Sequence, residues 1–367
     1  MPDDLYSRVL GCVVGGAIGD AFGAPVEFRS AEDLHRMIGT DWVDRFLPYG
    51  EGHKPHPLGV WRQAPPRGTG TDDTRNNHVF LECVIRNAGE INSTLLAMEY
   101  VRRYRDRETF YPGHADFAER QFRDPYEFSC ARLGMERTPS GRPAWVTLAR
   151  GNSFPTLHGL ISLAFAGCLC PGEPEEAYKK AFELAFLDLG YARDATAMMA
   201  AMVSAGLGGE ADARAMIEVG LETDPFGFGR RIMVERIRQF LEIADAAPND
   251  RAMIDALSAR VRHLHPFDPI DVLGVPVAAL LRSGGDPVRT VVMAANDRDL
   301  DEEGKLVQLR DVDCTAGVAG ALAGALSGAE AWPADWVADA VEANKDVYGI
   351  DLEANTRRFC QAVYGGR

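Results

Sequence analysis

The sequence predicts an all-α fold, on three observations. Apolar residues recur at helical spacing in segment after segment, and many of these segments open on Asp, Asn or Pro and close on Gly. No series of alternating strands and no βαβ unit interrupts them. Glycines also fall at helical spacing near both ends: Gly11, Gly15, Gly19 and Gly23, then Gly317, Gly320, Gly324 and Gly328. No segment has the composition of a linker and no fixed-period repeat appears, so residues 1–367 are read as one domain, a single compact multi-helix bundle.

The elements follow in order. Near the start, "GCVVGGAIGDAFG" is a glycine-striped helix. It is not a phosphate loop: it lacks Gly-Lys-Ser/Thr, no strand precedes it, and Asp20 would repel a phosphate. Asn92-Ser93 caps "TLLAMEYVRRYRDR". Pro174-Glu175-Glu176 opens "PEEAYKKAFELAFLDL", with proline and acids where a helix start favours them. Asp194 is read as the cap of "ATAMMAAMVSAGL". In "RRIMVERIRQFLEIADAA", Ile232, Val234, Ile237, Phe240, Leu241 and Ile243 lie near one face. "DPIDVLGVPVAALLRSGG", "DPVRTVVMAAN", "CTAGVAGALAGALSG" and "PADWVADAVEANKDVYG" complete the helical series. Residues 44–70 and 106–150, rich in Pro, Gly and aromatics, are expected to be long loops. Residues 297–310 are expected to be an exposed charged loop at the edge of a site, removable at little cost and governing substrate choice.

A glycine inside a helix costs about 1 kcal/mol relative to alanine. A stripe of them needs a structural return, which close approach of neighbouring helices supplies. Two central helices, one near each terminus, are therefore expected to wedge tightly into the bundle. Charges flank both stripes, which argues against a membrane role, and the longest uncharged run, about residues 154–172, holds Pro, His and Gly and has too short an apolar core to span a bilayer.

The formal net charge is −15, so no electrostatic drive toward nucleic acid or an anionic membrane exists. The amino-terminal residues have no basic-then-apolar pattern of a signal peptide. Seven scattered cysteines, an odd number, mostly sit in apolar helical patterns. Reduced thiols in a cytoplasmic setting are expected, and Cys168-Leu-Cys170 lacks the second ligand pair of a zinc site.

Two acidic clusters stand out. "GTGTDDT" places Asp72 and Asp73 side by side between Thr71 and Thr74, just before the helical "RNNHVFLECVIRN". "DVDCT" places Asp311 and Asp313 at the start of the second glycine-striped helix. Helix capping accounts for one acid in each cluster, not for two. Together they point to a hard-cation site, since converging carboxylates and hydroxyls are tolerable when cations neutralise them. Oxygen ligands suit Mg²⁺, Mn²⁺ or Ca²⁺ rather than zinc, and four Asp are enough for two ions.

The motifs "GCVVGGAIGDAFGAPVEF", "GTGTDDT" and "DVDCTAGVAGALAGAL", in that order and at that separation, resemble those of the ADP-ribosylglycohydrolase family. The resemblance runs over most of the chain. It implies an all-α bundle of that family's type with a binuclear Mg²⁺ site, Mn²⁺ being the other candidate ion. It also implies hydrolysis of the N- or O-glycosidic bond between ADP-ribose and an acceptor, protein or small molecule. On the family pattern Thr71, Asp72, Asp73, Asp311 and Asp313 would be metal ligands, with Cys314 at a position where the family usually has Thr. Glu27 matches an acid that lies beside the scissile bond in some members. Either Glu27 or Asp73 would serve as the acid–base group. Asp20, Gly151, Asn152, Ser153 and His158 are the expected substrate-binding positions, the Gly-Asn-Ser segment through backbone N–H groups facing a pyrophosphate. His158 is equally open to a structural role. Asp188 and Asp194 stand in the middle region where the family often has a His. A silent binder of ADP-ribose or a related nucleotide is the competing expectation.

Overall fold

The computed structural model describes residues 3–50, 52–148, 156–209 and 212–365. Among them are nineteen α-helices and one two-stranded antiparallel sheet, so the all-α expectation holds. The caps explain many boundaries. Asn92 accepts the Leu95 N–H at the head of Ser93–Arg105, and Asp268 accepts the Ile270 N–H at the head of Pro269–Ser283. Gly284 and Gly349 close their helices in the left-handed conformation.

The two glycine-striped helices, Asp3–Gly23 and Val312–Ser327, pack on each other. A Cβ at Gly11 would lie 2.6 Å from the Gly324 carbonyl oxygen. Gly15 lies against Gly320, Gly19 against Ala316 and Gly23 against Val312, each with no room for a side chain. As one number rises the other falls, so the helices are antiparallel. Gly317 is an exception, since a Cβ there would make only ordinary contacts at 3.6 Å. By length and composition Asp3–Gly23 is apolar enough to cross a membrane, but 72% of its apolar window is buried inside the fold. The consequence for function is local: the end of one helix, leading to Glu27, meets the start of the other, carrying Asp311 and Asp313.

Three expectations are corrected. Residues 106–150 are not one long loop; they form Arg107–Phe110, Ala115–Gln121, Arg123–Arg132 and Ala144–Leu148. Their aromatics are core contacts, with Phe122 and Phe128 buried, and that burial overrides the turn-like composition. Asp194 does not cap its helix, which begins at Tyr191. Its carboxylate is buried and accepts the Tyr178 hydroxyl at 2.5 Å and the Arg231 guanidinium at 3.2 Å. Residues 297–310 are a hairpin, strands β1 (Arg298–Leu300) and β2 (Leu306–Leu309), whose ends are buried. The 44–70 segment is irregular where described, yet Val43, Phe46, Leu47, Val60 and Trp61 anchor it in the core. All seven cysteines are buried and none is in a disulfide.

Candidate metal centre

Asp20 organises the first acidic motif. It is 1% exposed and faces the turn ahead of Asp72–Arg86. Its carboxylate accepts the Thr71 N–H at 2.9 Å, the Thr74 N–H at 3.0 Å and the Thr74 hydroxyl at 2.5 Å. Burial, with Asp313 nearby, pushes its pKa up to about 6, while the Thr74 and Thr71 bonds pull the other way. Asp20 is thus turned into the protein and does not line the cavity described below. In this structure it clamps residues 71–74.

Thr71 is the helix cap here, accepting the Asp73 N–H at 3.3 Å. With the cap position taken by a hydroxyl, both Asp72 and Asp73 have their carboxylates left over. The second motif behaves the same way. Asp311 occupies the position before Val312–Ser327, yet its side chain makes no capping bond, and its buried Oδ2 has no partner. Asp313 accepts the Cys314 N–H at 2.9 Å.

The two motifs meet. The Cys314 thiol of the second motif lies 3.6 Å from Asp73 Oδ1 of the first as a donor, and Thr71 stands close enough to Asp313 to favour its ionised form. Ligand atoms of Asp311, Asp313 and Cys314 lie within 4.8 Å of one another. Among the described residues no Lys or Arg forms an ion pair with Glu27, Asp72, Asp73, Asp311 or Asp313. Arg75, the cation that most lowers Asp72, gives its guanidinium to Gln121 and to the Pro57 and Gly59 carbonyls, and stacks on Trp61 at 4.2 Å.

Burial without an ion-paired cation raises every carboxyl in the group. Asp72 is pushed up to about 8, first by burial, with Arg75 opposing and Asp313 and Asp20 adding. Asp73 and Asp311 go well above the usual range, through burial and then the Asp313 charge. Glu27 does so through burial, then the charges of Asp313 and Asp311. A divalent cation would reverse the whole set, because its charge favours the ionised carboxylates.

The acids open onto a cavity of about 440 Å³. Thr71, Asp72, Asp73, Asp311, Asp313, Cys314 and Glu27 line one part; Phe28, Phe267, Leu157 and Ile161 line the apolar part, and Lys54 reaches it from the 52–60 loop. His158 does not line it. Its Nε2 is 3.2 Å from the Tyr100 hydroxyl, and burial holds its pKa down to about 4. Gly151, Asn152 and Ser153 lie outside the described residues. Asp188 is a positioning residue: it accepts the Thr156 hydroxyl at 2.7 Å and the Gly159 N–H at 2.7 Å, holding the segment that carries Leu157.

The hairpin does not line the cavity. It is stitched to the Glu27 turn instead: the Leu309 N–H donates to Arg29 at 2.9 Å and the Phe28 N–H to Arg310 at 3.3 Å, beside a bridge between Ser30 and Gln308. Its buried end carries Arg310, whose guanidinium binds Asp271 and Asp299, each at 2.6 Å, with Asp297 at 3.7 Å. Removing residues 297–310 would therefore remove a buried cation that three acids share. Sequence reasoning missed this network and the aromatic wall. Neither has a periodic signal, since their members come together from distant segments.

Comparison with known proteins gives the same family as the motifs. A profile of the ADP-ribosylglycohydrolase family matches residues 1–365. A solved structure titled ADP-ribosylglycohydrolase-related protein complex superposes with a TM-score of 0.59 at 20% identity, covering 99% of this chain and 100% of the other. At that identity the likeness shows the fold. No curated protein matches by sequence.

Proposed function

The chain belongs to the ADP-ribosylglycohydrolase family, and from that premise we propose that its cavity hydrolyses the N- or O-glycosidic bond between ADP-ribose and an acceptor, with Mg²⁺ held by the two acidic motifs. One observation carries the reading: five carboxyls converge on one cavity with no cationic side chain paired to them, and the Asp311 Oδ2 among them is buried and unpartnered. The donor set fits a hard cation. Thr71, Asp72, Asp73, Asp311 and Asp313 offer oxygen, enough for two Mg²⁺ or Mn²⁺ ions. Cys314 fits poorly, since a thiol is a weak partner for such ions and its proton points to Asp73. When bound, the ions supply Lewis acidity, which lowers the pKa of a water and grips ribose hydroxyls.

The rest of the chemistry falls to the chain. Glu27 is the acid–base group: it lines the cavity and is half-buried, whereas Asp73 is 5% exposed and engaged by Cys314. Water adds its oxygen to the anomeric carbon, one of its protons passes to Glu27, and the bond to the acceptor breaks as Glu27 hands that proton to the departing acceptor. The neighbouring carboxylates stabilise the oxocarbenium-like charge at that carbon. The whole chain is read as one catalytic domain. Buried cysteines outside any disulfide support a reducing, cytoplasmic setting, and the charge of −15 speaks against nonspecific nucleic-acid binding.

A second reading, a silent ADP-ribose binder, draws on Cys314 standing at a position where the family usually has Thr. One experiment separates the two: thermal shift with Mg²⁺ and ADP-ribose, followed by turnover assays on ADP-ribosylated Arg, Ser and nucleic acid. Stabilisation with turnover supports the hydrolase. Stabilisation without turnover on any linkage supports the binder, and no stabilisation by either ligand sinks both.

A further inference from the structure

We propose that Phe28, backed by Phe267, is a specificity wall on which a planar group of the substrate stacks. The inference rests on the reading of the cavity as a substrate site.

The backbone is the first observation. Phe28 has φ of 52°, in the left-handed region that a bulky aromatic rarely occupies. Only two other non-glycine residues among those described share a positive φ, and both are alanines. The turn would be satisfied more cheaply by Gly or Asn, so the ring is not there for the turn's sake. What holds the residue is the stitching around it: its own N–H donates to the Arg310 carbonyl at 3.3 Å, and the Leu309 N–H donates to Arg29 at 2.9 Å on its far side. Arg310 is itself fixed by its ion pairs with Asp271 and Asp299. Strain maintained by a rigid surround is a mark of a functional position, and here it adjoins Glu27.

The ring is the second observation. It is 39% exposed, so the core does not need it. It lines the cavity beside Glu27 and meets Phe267 edge to face, with centroids 6.1 Å apart at 65°. Phe267 in turn packs on His265 at 4.9 Å. Leu157 and Ile161 line the same cavity and add to its apolar surface. An apolar aromatic surface in a cavity whose other part is acidic suits a flat, weakly hydrated group, which stacks on a ring face. An ADP-ribosylated substrate has two sources of such a group: its adenine, and its acceptor when that is a guanidinium or a nucleobase. A serine acceptor has none.

The test uses Phe28→Asn, which keeps a residue tolerant of the left-handed backbone and removes the ring, and Phe28→Trp, which keeps a stacking face. Circular dichroism and melting temperature establish that each is folded. Calorimetric titration in Mg²⁺ then compares ADP-ribose with ribose 5-phosphate, which lacks adenine, and steady-state assays give KM and kcat for ADP-ribosyl-arginine. If adenine is the stacked group, Phe28→Asn weakens ADP-ribose by roughly tenfold, leaves ribose 5-phosphate unchanged, and Phe28→Trp restores the affinity. If the acceptor is the stacked group, ADP-ribose affinity holds while KM for ADP-ribosyl-arginine rises roughly tenfold at constant kcat. Should Phe28→Asn not fold, Phe267→Leu is put through the same titrations. Unchanged affinity and KM in a folded ringless variant overturn the wall alone, while a wild-type protein that binds neither ADP-ribose nor ribose 5-phosphate brings down the proposed function with it.

Discussion

One peptide bond separates two buried acidic clusters that are solved in opposite ways. Around Arg310, the acids Asp271, Asp297 and Asp299 share a guanidinium that is 1% exposed. Around Asp311, the acids Asp313, Asp73, Asp72 and Glu27 share no side-chain cation among the described residues. The first cluster is closed: Arg310 also reaches the Leu264 carbonyl, and nothing from it lines the cavity. The second opens onto a cavity, and among the described residues none of its acids is ion-paired. Burying a charge costs several kcal/mol unless a partner offsets it. A chain that supplies the partner at residue 310 and withholds it at residue 311 has reserved the second place for a cation from outside.

The largest expected effect tests the closed cluster. Arg310→Met leaves acids buried without their cation and is expected to destabilise the protein by about 3–5 kcal/mol in urea unfolding, with no rescue by Mg²⁺. Asp311→Asn removes a charge that has no side-chain cation, so the metal-free protein should be as stable or more so. Equal losses in the two variants would erase the distinction between the clusters.

The pH dependence comes next. In the metal-free protein the folded carboxyls bind protons more tightly than the unfolded chain does, Asp72 with a pKa of about 8. Raised folded values mean that the stability is present below the unfolded carboxylate range and is lost as pH rises from there through the folded value. Thermal or urea melts should therefore show stability falling between roughly pH 4 and pH 8, by up to about 1.4 kcal/mol per pH unit for each titrating group. A saturating divalent cation should flatten or invert that slope. A metal-free protein that gains stability over the same window would contradict the absence of a counter-charge.

Cys314→Thr carries the smallest effect. It replaces the thiol with an oxygen that suits Mg²⁺, and a severalfold tighter dissociation constant is expected, opposed by a packing cost from the β-branch against the glycine-striped helix. Affinity equal to or weaker than the wild type's would show that residue 314 is not a ligand position and that the thiol serves Asp73 alone.

Much of this was legible in the sequence for physical reasons. Helices announce themselves through spacing and caps, and Asn92, Asp268 and Gly284 did what their positions foretold. The glycine stripes foretold close packing, although only the structure shows the two helices to be each other's partner. The acidic motifs were readable because capping left one acid over in each; the structure leaves still more over, since Thr71 caps and Asp311 does not. What escaped is of another kind. Asp20 looked like a site residue because it sits in a motif, but its direction depends on backbone amides fifty residues away. The charges of 297–310 looked solvated because local composition cannot show that Arg310 meets Asp271 across the fold. Helices 107–132 hid behind aromatics whose burial is decided by tertiary contacts.

The central claim is that the acids at 72, 73, 311 and 313 are a cation site, and calorimetric titration of Mg²⁺ and Mn²⁺ into the wild type, Asp73→Asn and Asp313→Asn tests it most directly. The account predicts saturable binding to the wild type, affinity reduced by about tenfold or more in each variant, and unchanged helical circular dichroism in all three. Identical titrations in wild type and both variants, or a folded wild-type protein that takes up neither ion, would contradict it.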